Sequence, residues 1–368
     1  VLTAAVFIIG LGACFILNRL IVPPEISLSE RRPLATFPAF SASAVFSARF
    51  MGDFESYAAD SFAFRDGLRE ARALTVFRIF RQTDKNGLYY GASGAGKFEK
   101  IDESSAALAA AKIARMAASL TGQKLYYSFV PDKSIYAGRQ LPGFDAGEAE
   151  RILAEPLRGL TYIRLTEALA AADFYRTDLH WDQSRLAGVL AALGQAMDFT
   201  PALPSEPLTD LALRRPGEFS GVYAGQLALP LPPDEMTYWD GAALEELRVS
   251  YLEPGSGQFT AGPVYDLAGF AGRDPYDLFL RGPQPLIVIE NPAAANQRQL
   301  YLFRDSFGSS LAPLLALSYA RVTLIDLRYL DSRALPLYVD FAPGADVLFL
   351  YSSQILNNAT TLLVSDSL

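Results

Sequence analysis

The chain has 368 residues, 51% hydrophobic and 20% charged, which supplies a buried core, excludes wholesale disorder and suits two structural units or one large domain with an insertion. A net charge of −8 with no Lys/Arg block excludes a phosphate-tracking nucleic-acid surface. One Cys and one His exclude a zinc, haem or iron–sulfur site and an internal disulfide, though not an oxygen-ligand Mg²⁺ or Ca²⁺ site, and leave His180 as the only imidazole base.

Residues 1–17 carry no charge, and apolar character resumes after Asn18-Arg19 up to Val22. A helix over this stretch would reach about 33 Å before Pro23-Pro24 stops it, so the expectation is a transmembrane anchor over 1–22. Leu11-Gly12-Ala13-Cys14 also has the look of a lipoprotein processing box, but apolar residues follow where a polar linker belongs. Arg19, Arg31 and Arg32 come after the span and by themselves would put that side in the cytoplasm.

Residues 23–120 read as a helical and hairpin lead-in packed on the core. Residues 25–48 are irregular, 50–82 are helical with a break over 60–66, 88–90 and 97–101 flank a Gly/Ser turn, and 104–120 form an Ala-rich helix. Strands and helices then alternate: strand 124–130, helix 146–157, strand 160–165 and helix 184–197, with Leu186, Val189, Leu190 and Leu193 on one face. Residues 199–285 are broken by Pro and Gly and read as a β- and loop-rich insertion. The alternation returns with strand 299–303, helix 309–320 and strands 322–327 and 347–351. This predicts an α/β fold with a doubly wound parallel sheet, its core formed by 121–198 and 286–368.

Three motifs carry chemistry. Gly91-Ala92-Ser93-Gly94-Ala95-Gly96-Lys97 fits most of a phosphate-binding loop. Phe98, however, replaces the Mg²⁺-holding hydroxyl, and a hairpin tip explains the glycines. Asp178 lies two residues before His180, a spacing that needs a bent loop for the carboxylate to take the Nδ1 proton and leave Nε2 for a nucleophile. Ser306 stands at the end of a predicted strand and directly before a helix, where substrate clefts of open α/β sheets lie and backbone N–H groups face a developing oxyanion. Helix capping by Asp305 or Ser306 is the simpler account of the same residues.

Thr177-Asp178-Leu179-His180-Trp181 resembles the Asp-His-His-Trp signature of the DHHW family, and Arg304-Asp305-Ser306-Phe307 resembles the Gly-Asp-Ser block of SGNH hydrolases. Similarity extends to Leu28-Ser29-Glu30-Arg31-Arg32-Pro33-Leu34, to Asp60-Ser61-Phe62-Ala63-Phe64-Arg65-Asp66, to Asp274-Pro275-Tyr276-Asp277 and to Ile325-Asp326-Leu327-Arg328-Tyr329. The related group is the SGNH-like proteins of bacterial alginate O-acetylation, whose fold is circularly permuted so that Asp-x-His precedes Ser, as 178–180 precede 306 here. The resemblance implies an SGNH-like (flavodoxin-like) permuted sheet and an O-acetyltransferase acting on a cell-surface or exported polysaccharide. It also implies a single-pass membrane protein with its catalytic domain outside the cytoplasm, against the vote of the arginines. Ser306 would be the nucleophile, His180 the base and Asp178 its orienting partner.

Leu179 and Arg304 depart from the family pattern, in place of a His and a Gly. Arg328, Gln354 and Asn357 stand where oxyanion donors are expected, and Lys133, Tyr175 and Arg176 are expected to line the cleft. The scheme needs no metal or cofactor. The acetyl donor would come from a partner or acyl carrier, such as a multipass membrane O-acyltransferase. A carbohydrate esterase using the same site and a non-catalytic polysaccharide-binding scaffold are the alternatives.

Overall fold

A computed structural model describes residues 2–20, 24–137, 143–202 and 211–365. The chain forms two compact units, 1–89 with 220–232, and 90–219 with 233–368.

The first unit opens with α1, Leu2–Leu20. Its 19 residues make a rod of about 28 Å, and Asn18 and Arg19 fall in its last turn. Asn18 accepts the Ala63 N–H at 2.7 Å, which ties the end of α1 to the corner between α2 (Arg49–Asp60) and α3 (Arg65–Leu74). Among the described residues no helix is long and apolar enough to cross a membrane, so the expected transmembrane anchor is not found over 2–20, and its residues 1, 21 and 22 lie outside the described residues. The expected break at 60–66 is that corner. There Asp60 is buried and takes both Nη atoms of Arg32 at 2.7 Å, the Ala35 N–H at 2.9 Å and Arg65 at 3.1 Å. The Arg32 hydrogen bonds, foremost, hold its carboxyl at about 2.

In the second unit α4 (Glu103–Ala118), expected in the lead-in, lays Ala106, Ala109, Ala110 and Ile113 on one face of the main sheet, in a core shared with Phe303 and Phe349. Along the chain follow β1 (Lys124–Val130), α5 (Ala146–Ala154), β2 (Thr161–Tyr162), α6 (Ala187–Met197), β3 (Ala212–Phe219) and β4 (Asp234–Asp240). Next come β5 (Arg248–Leu252), β6 (Phe259–Gly262), β7 (Leu286–Glu290), β8 (Gln299–Arg304) and α7 (Phe307–Ala316). β9 (Arg321–Ile325), β10 (Asp346–Ser352) and α8 (Ser353–Leu356) complete it.

The eight-stranded sheet runs β6–β5–β7–β9–β8–β10–β1–β2. The strands expected from the sequence are β1, β2, β8, β9 and β10, and these pair in parallel. Their side chains alternate between two buried faces: Leu300, Leu302, Leu348 and Leu350 on one, Tyr301, Phe303, Val347 and Phe349 on the other. Burial on both faces is why these strands read as continuous apolar runs.

The expected insertion over 199–285 is narrower than the sequence suggested. β5 and β6 fall inside it yet extend the sheet, antiparallel, through β7. β3 and β4 do form a separate antiparallel ribbon. The strand expected at 97–101 is instead Gly94–Lys97, and the next helix waits until Glu103, so no helix opens at the glycine loop as a phosphate-binding turn requires.

Candidate active site

The segment from Phe174 to Trp181 is a tight loop closed at its mouth. Phe174 and Trp181 bridge as an antiparallel pair, and the Tyr175 N–H donates to the His180 carbonyl at 3.0 Å. Lys133, buried after β1, donates from Nζ to the carbonyls of Tyr175 at 2.8 Å and Asp178 at 2.7 Å. Burial pulls its pKa down to about 8, against the opposing pull of Asp178. On the other flank Asp234 accepts the N–H groups of Arg176 at 2.7 Å and Thr177 at 2.6 Å, and the Thr177 hydroxyl. This is the bend the i, i+2 spacing demanded. Asp178 Oδ1 lies 2.7 Å from His180 Nδ1 and also accepts the His180 N–H at 3.1 Å.

Ser306 Oγ stands 2.8 Å from His180 Nε2. The turn that presents it is fixed by its neighbours. Asp305, fully buried, caps α7 by accepting the Phe307 N–H at 3.0 Å and anchors the turn to β10 through the Ser352 N–H at 2.7 Å. Capping therefore belongs to Asp305, and the Ser306 hydroxyl makes no cap bond. Arg304 is wholly buried, and burial lowers its pKa while Asp326, 3.4 Å from Nη1, opposes that. Its stem lies against Gly308, where a Cβ would stand 2.6 Å from Arg304 Cβ, so the first turn of α7 needs glycine at that position.

The sequence reading assigned no role to Tyr276. Its ring stacks on the His180 imidazole at 3.7 Å between centroids and 7° between planes, and Phe307 packs at a tilt 5.0 Å away. The Tyr276 hydroxyl donates to Ser310 Oγ at 2.7 Å, and the Trp181 indole N–H donates to the same oxygen at 2.8 Å. The imidazole is thus held between Phe307 and the Tyr276 ring, whose hydroxyl is fixed to Ser310 on α7.

No family model matches the sequence, and no curated protein matches it. Solved structures do. The fold is shared with a DHHW family protein. That protein, from Eubacterium siraeum, aligns with a TM-score of 0.61 at 17% identity over 77% of this chain and 98% of its own. Bacillus cereus PatB1, in a structure with a sulfonyl adduct, aligns at 0.58 and 16% over 76% and 98%. The O-acetyltransferase domain of Pseudomonas putida AlgJ aligns more loosely, at 0.42 and 13% over 74% and 93%. The α/β architecture expected from the sequence is shared with the first two of these structures.

The remaining expected site residues scatter. Arg328 is held by Asp326, which accepts from its Nε at 2.9 Å and Nη2 at 2.6 Å, so its guanidinium is not a free oxyanion donor. Asn357 is not one either: its side chain accepts the Asp102 N–H at 2.9 Å and donates to the Lys100 carbonyl at 2.8 Å, fastening the segment before α4. Gln354 lies in α8, just past the end of β10. Tyr175 is buried against Phe219, with its hydroxyl on Met236 Sδ at 3.1 Å, and serves the loop through its backbone. Arg176 alone is exposed, on the rim of a cavity of about 590 Å³ behind the loop, between Ser93, Arg185, Arg215 and Asp234. Lys133 holds the loop from beneath and does not line a cleft. Among the described residues no cluster of His, Cys, Asp and Glu could hold a metal.

Proposed function

We propose that the chain is an extracytoplasmic SGNH-like O-acyltransferase that passes an acetyl group from an activated donor to a hydroxyl of a cell-surface or exported polysaccharide. The observation that carries this reading is the unbroken hydrogen-bonded line from Asp178 through His180 to Ser306, with steps of 2.7 and 2.8 Å, at the carboxyl edge of a parallel sheet.

Ser306 Oγ attacks the donor carbonyl and its proton passes to His180 Nε2, while Asp178 holds the Nδ1 proton and stabilises the imidazolium. Collapse of the tetrahedral species expels the donor's leaving group, which takes the proton from Nε2. A sugar hydroxyl then gives its proton to Nε2 and attacks the acyl carbonyl, and Ser306 leaves with its proton restored. In the first turn of α7 the Phe307 and Gly308 N–H groups are both engaged by Asp305. The Ser306 N–H, for which no protein acceptor stands among the described residues, is the donor this scheme gives to the oxyanion. The scheme takes its acetyl group from a partner or carrier, for which a multipass membrane O-acyltransferase has the right chemistry.

A sulfonyl adduct is held by PatB1, a relative in fold, and sulfonyl groups are esterified by activated serines. The test is intact-mass spectrometry after incubation with an activated acetyl ester. Wild type should gain an acetyl group on Ser306, and Ser306→Ala should gain none. Added oligosaccharide should accelerate loss of the adduct and appear acetylated. Loss to water alone would make the protein an esterase, and no adduct in wild type would end the catalytic reading.

A further inference from the structure

Arg304 ends β8, at the position where the SGNH pattern has glycine. Strand alternation sends its side chain to the face of Leu300 and Leu302, against the first turn of α7, where it is wholly buried. Nη1 donates to the carbonyl of Asp305 at 3.3 Å and lies 3.4 Å from Asp326, and Nη2 donates to the carbonyl of Gln284 at 3.4 Å. Nε, also buried, meets no acceptor among the described residues. These contacts are long, and Asp326 is committed to Arg328, accepting from its Nη2 at 2.6 Å, its Nε at 2.9 Å and its backbone N–H at 3.0 Å. Stability does not account for such a residue. A buried guanidinium carries a desolvation cost that loose contacts do not repay, and an apolar side chain of similar length would avoid it. What only a cation supplies here is positive charge at the Asp305 carbonyl.

That carbonyl belongs to the peptide group whose other end is the Ser306 N–H, the donor that the acyl-transfer scheme gives to the oxyanion. It also accepts the Gly308 N–H at 3.1 Å. We propose that Arg304 is a positioning residue for this donor: it holds the Asp305–Ser306 peptide by its carbonyl and polarises it, so that the Ser306 N–H donates more strongly as charge develops on the acyl oxygen. The proposal rests on the acyl-transfer reading and deepens it. A hydrogen bond to a peptide oxygen draws electron density toward that oxygen and leaves the N–H of the same peptide more positive, an effect enlarged in a low-dielectric interior. A charged donor does this more than a neutral one. The same charge offsets Asp305. Its carboxylate, fixed by the Phe307 and Ser352 N–H groups at 3.0 and 2.7 Å, would otherwise oppose an anion forming one residue away.

The experiment acylates the full chain with isotope-labelled p-nitrophenyl acetate, for wild type, Arg304→Met, Arg304→Gln and Arg304→Lys. Mass spectrometry times the adduct on Ser306, difference infrared spectroscopy reads the labelled acyl carbonyl, and circular dichroism verifies the fold. Arg304→Met should acylate about tenfold more slowly at saturating ester, with the ester concentration for half-saturation unchanged. Its acyl carbonyl should absorb at higher frequency than that of wild type, because a weaker donor grips it less. Arg304→Lys, which keeps the charge, should restore most of both. Should Arg304→Met not fold, Arg304→Gln, with a polar end for the buried carbonyls, is compared with Arg304→Lys in the same way. A merely structural role would lower stability and leave the carbonyl frequency of the folded acyl-enzyme where it was. A neutral variant with the wild-type rate, a slowed one with an unshifted carbonyl, or a lysine variant no better than the neutral ones would overturn the proposal while leaving acyl transfer standing. No adduct in wild type would sink the acyl-transfer reading, and this proposal with it.

Discussion

A serine becomes a nucleophile only when a base is held at hydrogen-bond distance in one tautomer and one plane. Here the tautomer is set by Asp178 and the plane by Tyr276, whose stacked ring leaves His180 no freedom to swing away from Ser306. These two contributions separate by substitution. Tyr276→Phe keeps the ring and loses the bond to Ser310, so acylation of Ser306 should stay within about threefold of wild type, with stability lower by about 1 kcal/mol. Tyr276→Leu removes the stack and should slow acylation about tenfold or more through misplacement of the imidazole. Adduct formation timed by mass spectrometry, with circular dichroism to verify folding, measures both. Equal rates for the two variants would mean that the ring does not position the base. Asp178, His180 and Ser306 were legible because Asp-x-His before a helix and Ser after a strand have few other uses together. Tyr276 was not, since nothing in Asp274-Pro275-Tyr276-Asp277 reveals which distant side chain it will meet.

At the scale of elements, the loop from Phe174 to Trp181 has no regular ladder of its own and is held by side chains from β4 and the segment after β1. Lys133→Met should therefore strip donors from buried carbonyls and destabilise the protein by about 3 kcal/mol, the cost of losing charged hydrogen bonds in a buried setting. Ser306 acylation should fall with it, even below the unfolding midpoint in urea. A variant with wild-type acylation and an unchanged midpoint would contradict this role. The parallel strands were readable as apolar runs between turn residues. β7 was not, because strand–helix alternation leaves no place for a strand joined to β8 without a helix, and its antiparallel pairing with β9 shows why none is needed. β5 escaped because Arg248 and Ser250 interrupt its apolar residues, as befits a strand near a sheet edge. The oxyanion candidates failed for a related reason. Position past a strand end places Arg328 and Asn357 near the edge, but Asp326 and the Lys100 carbonyl had already engaged them.

For the molecule as a whole, two sequence blocks far from the site, 28–34 and 60–66, are explained by one buried carboxylate. Asp60 gathers Arg32 and Arg65, and Glu30 adds its own contacts to Arg65 and Arg69, so both blocks serve a single ion-pair network in the first unit. The sequence displayed the blocks without their purpose, because the network exists only once the chain has folded back on itself. Its energetics depend on pH in a definite direction. Asp60 titrates near 3.8 when unfolded and is held at about 2 when folded, so its contribution is fully present above about pH 4 and is lost as pH falls through 2. The shift corresponds to about 2 kcal/mol. Asp60→Asn should remove that amount at neutral pH and abolish the acid-dependent step. Hydrogen exchange of residues 25–74 read from about pH 5 down to about pH 2 measures both. Wild type should lose protection across this window, while Asp60→Asn begins lower and stays flat. Parallel curves for the two proteins would show that the network does not hold this unit together.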